Sequence, residues 1–305
     1  MVEWIERLNT AMDYIEEHLC EEIKYEQLAK LACCSAYHFQ RMFGYMAGVT
    51  LSAYIRRRRM SCAAVDLQKG YKVIDVALAY GYESPTAFNR AFQAVCGVAP
   101  SNAKQSGVTL KSFLPISFKV TIKGVEEMNY RIESKPEFRV IGIRKAMSAD
   151  AEEGFKVVPL FWQDAAAQIP QIASYMGGLD GMDGLDGMSG NLDGNPDDTP
   201  KGLLGVSTCN EVDGEQNYYY IAVASNAPIP DGMHELSIPA QTWAIFPGSG
   251  TSTDIQTLQQ RIVSEWLPTS GYEWANAPDI ELYLNSDPEN MAFEVWLPVI
   301  DLKRT

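Results

Sequence analysis

Five residues return in register: Ser35, Phe39, Arg41, Phe43 and Gly48 reappear 49 residues later as Ser84, Phe88, Arg90, Phe92 and Gly97. Upstream, Ala29 and Cys33 match Ala77 and Gly81 at an offset of 48, so Glu83 is a one-residue insertion in the second turn. Each repeated position has a structural task. Serine caps a helix start, the two phenylalanines at i and i+4 share the inward face, and glycine closes the helix. The small residue and the turn residue ahead of each serine suit two helices packed closely across a tight turn. This is an internal duplication, and it commits the first third of the chain to two copies of a helix-turn-helix. An apolar stripe at Trp4, Ile5, Leu8, Met12, Ile15 and Leu19 predicts a helix ahead of the first copy, and Leu51 to about Lys69 predicts a long one between the copies.

With the phenylalanines inward, the second helix of each copy leaves Tyr37, Gln40 and Arg41, then Thr86, Asn89 and Arg90, pointing outward. Arginine pairs with guanine edges, and glutamine or asparagine with adenine. The net charge of −14 speaks against a nucleic-acid partner only if charge is evenly spread. It is not. Residues 35–111 hold 10 basic and 3 acidic side chains (+7), whereas residues 112–305 hold 12 and 28 (−16). The run Arg56-Arg57-Arg58-Arg59 wraps around the long helix, so some members meet phosphate or acidic neighbours while their stems cover the core.

The second copy reads Ile74-x-Val76-Ala77-x-x-x-Gly81-Tyr82-x-Ser84-x-x-x-Phe88-x-Arg90-x-Phe92-x-x-x-x-Gly97-Val98-x-Pro100. With Leu28-Ala29 and Tyr54-Ile55-x-x-Arg58 from the first copy, it resembles the AraC family of transcription regulators over about residues 5–107. The resemblance implies two recognition helices in successive major grooves of double-stranded DNA, read by Tyr37, Gln40 and Arg41, then by Thr86, Asn89 and Arg90, with Arg58 as a further contact. Two departures bear on the operator sequence: Cys33 stands at the first turn's usual small or glycine position, and Pro85 sits early in the second recognition helix.

Beyond Ser106 helical periodicity fades, and residues 109–127 read as a linker. The remainder reads as strand, helix, strand, strand, twice: Arg131–Met147, 154–168, 202–208 and 218–225, then His234–Phe246, 254–267, 279–285 and Met291–Val299. An acidic segment with glycine at every third position, Gly178 to Gly190, reads as a loop inserted at about 176–200. In the last two strands, alternation sets Glu281 and Tyr283, and Glu294 and Trp296, against apolar residues. If helices cover the apolar side, these four share the other, joined by Tyr220 and Trp243. A carboxylate among aromatic faces attracts organic cations.

Tyr130-Arg131-Ile132-Glu133, Phe138 to Gly142, Gly205-Val206, Ile280 to Tyr283 and Glu294 to Val299 look like the gyrase-inhibitor-like effector-binding domain. That resemblance implies paired strand-helix-strand-strand units around a groove, with the ligand-binding glutamate of several drug-binding members at Glu294. The expected architecture is multidomain: an all-α double helix-turn-helix domain at 1–108, then an α+β domain of duplicated β-α-β-β units at 128–303. The expected function is a transcription regulator, an activator rather than an enzyme, bound to DNA and controlled by a small amphipathic, cationic effector. Its ligand site is Glu294, Trp296, Glu281, Tyr283, Tyr220 and Trp243, and RNA polymerase is a further partner. Two alternatives stand beside it: a hydrolase of electrophilic compounds, and a partner-binding module without ligand. Six scattered cysteines and three histidines give no metal site, no cofactor motif occurs, and no run of 18 apolar residues spans a membrane, so a cytoplasmic location is expected.

Overall fold

The computed structural model describes residues 3–105, 107–119, 127–147, 151–176, 199–208, 217–285, 287 and 289–302. The Gly178–Gly190 segment lies outside them. The chain divides into two compact units, Val2–Lys119 and Val120–Thr305.

The first unit is helical: α1 (Glu3–Glu17), α2 (Tyr25–Ala32), α3 (Ala36–Ala47), α4 (Leu51–Gln68), α5 (Val73–Ala79), α6 (Pro85–Cys96) and α7 (Pro100–Ala103). The duplicated residues do matching work. Ser35 Oγ accepts the His38 N–H at 3.1 Å and Ser84 Oγ accepts the Ala87 N–H at 3.3 Å, so each caps its helix. Phe39, Phe43, Phe88 and Phe92 are fully buried. The turn between α5 and α6 passes through Gly81 at φ 79°, and its counterpart between α2 and α3 passes through Cys33 at φ 55°. Cys33 is the one non-glycine residue with positive φ among those described. Residues 109–119, expected as linker, belong to this unit and are hydrogen-bonded to it.

The second unit holds strands β1 (Arg131–Lys135), β2 (Phe138–Met147), β3 (Leu203–Ser207), β4 (Asn217–Ala224), β5 (His234–Ile238), β6 (Gln241–Gly250), β7 (Tyr272–Trp274), β8 (Asp279–Tyr283) and β9 (Met291–Asp301). Helices α8 (Ala151–Ala165) and α9 (Ile169–Ala173) follow β2. After β6 come α10 (Ser252–Arg261), a π-helical turn (Ile262–Trp266) and α11 (Leu267–Ser270). The duplication is therefore present, with one correction. The long first strand expected in each half is broken, at Pro136-Glu137 and at Pro239-Ala240, where proline ends ladder pairing.

Each broken piece crosses to the other half. The strand order is β1-β6-β9-β8-β3-β4-β2-β5, with β7 paired on β9 outside this path, so β1 caps the second half and β5 the first. The repeats meet at the β3–β8 seam. A flat sheet of this order would hold β1 and β2 far apart, at about 4.8 Å per strand. Yet only two residues join β1 to β2, and two join β5 to β6. Such links reach about 10 Å, so the sheet curls until its ends approach.

The two sheet faces differ accordingly. The inner face packs Phe138, Val140, Leu204, Val206, Tyr220, Leu236, Ile238, Trp243, Ile245, Ile280, Leu282 and Trp296 into one cluster, drawn from both ends of the strand order. The outer face carries the helices. Ile141, Ile143, Tyr219, Ile221 and Val223 pack with Phe161 and Ile172 of α8 and α9, and Phe246, Phe293, Val295 and Leu297 pack with Ile255 of α10 and with Ile262 and Trp266.

Candidate functional site

Helix α6 presents a reading surface. Its buried side is Phe88, Phe92, Val95 and Cys96, and Thr86, Asn89 and Arg90 are exposed on the other. Pro85 occupies the first turn, where its missing N–H costs nothing.

The first copy departs from expectation. Tyr37, Gln40 and Arg41 are 8%, 4% and 7% exposed, where an open surface was expected. Gln40 donates to the Ala36 carbonyl at 3.3 Å. Arg41 donates to Tyr45 Oη at 3.3 Å, and its guanidinium lies 5.5 Å from the Tyr37 ring centre. Periodicity identifies which side of a helix faces its own core, but it does not say whether the opposite side is open.

The arginine run also divides. Arg58 is buried, donates to both Glu16 carboxylate oxygens at 2.7–3.0 Å, and reaches the Phe113 carbonyl. It is a structural clamp and not the expected DNA contact, because all three of its guanidinium nitrogens bond groups within the helical unit. Arg59 donates to the carbonyls of Leu19 (2.8 Å) and Glu21 (2.6 Å), and Arg57 stacks 5.0 Å from the Phe113 ring. Arg56 alone of the four is exposed.

In the second unit, register splits the expected ligand site in two. Residues directly opposite in an antiparallel pair share a face. Glu281 stands opposite Val295 and Tyr283 opposite Phe293, while Glu294 stands opposite Leu282 and Trp296 opposite Ile280. Glu281 and Tyr283 thus lie on the helix-bearing face, and Glu294, Trp296, Trp243 and Tyr220 on the inner one. The alternation within each strand is as expected. The assumption that corresponding positions of two strands share a face is corrected, since one residue of register exchanges the faces.

The inner group is already neutralised. Arg131 grips Glu294 with both terminal nitrogens, at 2.7 and 3.0 Å, and Trp296 Nε1 donates to the same carboxylate at 2.8 Å. Arg131 also pairs with Glu133, which accepts Lys135 as well. Burial works against the Glu133 charge, but the hydrogen bonds from Lys135 and Arg131 outweigh it and lower its pKa.

Glu281 is arranged differently. It sits at the seam of the two repeats, flanked by α8 and α10. Tyr219 and Tyr283 donate their hydroxyls to its Oε2 at 2.9 and 2.8 Å, and Gln259 Nε2 donates to Oε1 at 2.6 Å. Trp162 Nε1 donates to Tyr219 Oη at 3.0 Å, and the Trp162 ring meets Tyr283 edge-on, with centroids 4.9 Å apart. Gly205 leaves the space for this cluster: a Cβ there would stand 2.1 Å from Tyr219 Oη. Among the described residues no cation pairs with Glu281. Burial raises its pKa, against the opposing hydrogen bonds from Tyr283, Tyr219 and Gln259. Burial, followed by the neighbouring carboxylate, raises both tyrosines, so they stay protonated donors.

Trp162 and Gln259 escaped sequence reading, although Gln259 carried a signal. It falls on the Ile255–Gln259–Ile262 stripe that runs from α10 into the π-helical turn, a polar residue where an apolar one belongs. Among the described residues no three acidic, histidine or cysteine side chains form a metal-binding group, and no helix is long and apolar enough to cross a membrane.

Residues 128–300 match the family model described as a GyrI-like small molecule binding domain, and residues 28–106 match one described as a helix-turn-helix domain. The chain is similar to the transcriptional regulator Rob of Salmonella typhimurium, 23% identical over 303 residues, covering 94% of this chain and 95% of that one. Over a shorter stretch it is similar to the HTH-type transcriptional activator AarP of Providencia stuartii, 34% identical over 108 residues, covering 35% of this chain and 80% of that one. In fold it is similar to the solved structure of SAV2435 bound to tetraphenylphosphonium, 19% identical, covering 58% of this chain and 97% of that one, with a TM-score of 0.44.

Proposed function

The chain belongs to the GyrI-like small molecule binding family and joins that domain to an AraC-type helix-turn-helix domain; on that premise we propose that it senses an amphipathic organic cation at Glu281 and passes the signal to DNA. Its class is that of a DNA-binding transcription regulator with an effector-binding domain. One observation carries the choice of site: Glu281 is a half-buried carboxylate held by two tyrosine hydroxyls and an amide, with aromatic rings beside it and no cation paired to it among the described residues. An ionised carboxylate in such surroundings is costly until a positive charge joins it. Tyr219, Tyr283 and Trp162 offer ring faces and edges to the apolar body of the same ligand. Glu294, by contrast, already has Arg131.

On the DNA side, Thr86, Asn89 and Arg90 of α6 read base edges, and Arg56 is the arginine of the run free to approach phosphate. Reading by α3 requires Tyr37, Gln40 and Arg41 to be uncovered. The effector acts through different affinities for the DNA-competent and incompetent states. In this reading the protein is an activator in the cytoplasm, RNA polymerase is its partner at the promoter, and the bound compound is sensed and not consumed.

The test is a thermal-shift screen of aromatic phosphonium and ammonium ions against the full chain. Any hit is then titrated in a DNA-binding assay on duplexes selected from a random library. The reading expects a hit that raises the melting temperature, changes DNA affinity and is recovered chemically intact. Conversion of the compound would favour a hydrolase, because a glutamate beside tyrosine hydroxyls can serve as an acid/base pair. Tight binding without any change in DNA affinity would refute effector control.

A further inference from the structure

The segment between the second helix-turn-helix and the effector domain does not hang free. Lys111 N–H donates to the Cys96 carbonyl at the end of α6 (3.2 Å), and Leu110 and Phe113 pack against the core of the second copy. Phe113 N–H donates to Ser61 Oγ at 2.9 Å, and its carbonyl accepts Arg58. Ile116 N–H donates to Tyr54 Oη at 3.1 Å. Asn9 of α1 then takes both backbone groups of Phe118: its Oδ1 accepts the N–H at 2.8 Å and its Nδ2 donates to the carbonyl at 3.0 Å. The Phe118 ring is buried edge-on against Phe43 of α3, with centroids 6.0 Å apart.

The anchors have a common geometry. Tyr54, Arg58 and Ser61 are spaced by four and three residues, which places them in one line along α4. They and Asn9 bind the segment chiefly through its backbone, much as a neighbouring strand would. One end of the segment is fixed to the second copy and the other to the first, across the long helix the copies share. The long helix α4 packs against α3 of the first copy and against α5 and α6 of the second, and the segment runs beside it.

From this the structure assigns residues 110–118 the role of a positioning strap, which fixes the separation and angle of the two reading helices and so sets the half-site spacing the protein accepts on DNA. Asn9 and Phe118 are positioning residues and touch no base in this account. The inference rests on both copies reading DNA, helical repeats of about 10 base pairs apart. If DNA reading itself were wrong, the unmodified protein would select no two-part duplex.

The experiment uses the full chain and the duplex it selects from a random library, then versions with one to three base pairs inserted between the half-sites. Binding is measured for the unmodified protein and for Asn9→Ala and Phe118→Ala. Expected is a spacing penalty of about tenfold or more in the unmodified protein, equivalent to 1.4 kcal/mol. In the variants that penalty shrinks to about twofold or less, while affinity for a duplex carrying one half-site is unchanged. Equal weakening at every spacing would mean the segment is merely structural and would overturn the proposal, as would an unaltered penalty. Should either variant fail to fold, Tyr54→Phe removes a single hydroxyl anchor while keeping its ring on Phe43, and it is judged by the same ratio.

Discussion

Replacing Arg58 by methionine distinguishes an internal clamp from a DNA contact. The guanidinium makes three hydrogen bonds of 2.7–3.0 Å to Glu16 and a further one to the Phe113 carbonyl. The two side chains are 10% and 21% exposed, so the pair lies between the surface and fully buried cases. Exposed pairs contribute under about 1 kcal/mol, and breaking a buried one costs about 3–5 kcal/mol. A loss of about 2 kcal/mol for the pair is reasonable here. Leaving the Phe113 carbonyl without its charged donor adds about 1 kcal/mol. For a helical unit of this size, about 3 kcal/mol corresponds to a fall of roughly 12 °C in its melting temperature. The assay is a thermal melt followed by circular dichroism at 222 nm, run beside the salt dependence of DNA affinity. Arg58→Met is expected to lower the melting temperature and leave the slope of log affinity against log salt alone. Exposed Arg56→Met should do the reverse, reducing that slope by about 1. A melting temperature unchanged for Arg58→Met, with a shallower salt slope, would make Arg58 a phosphate contact and not an internal clamp.

Three further outcomes follow from the same structure. Cys33 holds a left-handed conformation that glycine adopts without strain, so Cys33→Gly should stabilise the helical unit by about 0.5 kcal/mol in urea unfolding, the unfolded-state entropy of glycine offsetting part of the gain. Gly205→Ala should displace Tyr219 from Glu281 and lower cation affinity at least about tenfold in a fluorescence titration, since its Cβ has no room beside the tyrosine oxygen. The pKa of Glu281 is raised, so the protonated form is favoured in the fold: its contribution to stability is present below the ordinary carboxylate pKa and is lost as pH rises through the folded value. A permanent cation selects the ionised form, and its affinity should therefore rise with pH across that window and then level off, as calorimetry at several pH values would record.

What could be read in the sequence was whatever depends on neighbours a few positions away. Ser35 and Ser84 declared two helix starts, and paired phenylalanines declared two inner faces, because capping and the 3.6-residue period are local. The alternation of Glu281 with Leu282, or of Glu294 with Val295, was legible for the same reason. Register was not. Whether Glu281 meets Glu294 or Val295 across the ladder depends on turns and packing far from either residue, and the answer moved Glu281 and Tyr283, two of the six expected ligand residues, to the opposite face. The strand exchange was hidden similarly: Pro136 and Pro239 mark the breaks, but the partner that each freed piece finds is a long-range matter. Arg58 looked like its three neighbours, and only the position of Glu16, 42 residues away, made it structural.

The site proposed for the organic cation is Glu281, on the helix-bearing face. It is tested most directly by isothermal titration of the unmodified chain, Glu281→Gln and Glu294→Gln with one aromatic quaternary phosphonium. At about 5 Å and an effective dielectric near 20, the charge pair is worth roughly 3 kcal/mol, of which the glutamine dipole keeps a part. Glu281→Gln should therefore weaken binding on the order of fifty-fold, while Glu294→Gln stays within about threefold of the unmodified protein. Loss of binding in Glu294→Gln, with Glu281→Gln unaffected, would contradict the account and place the ligand on the inner face.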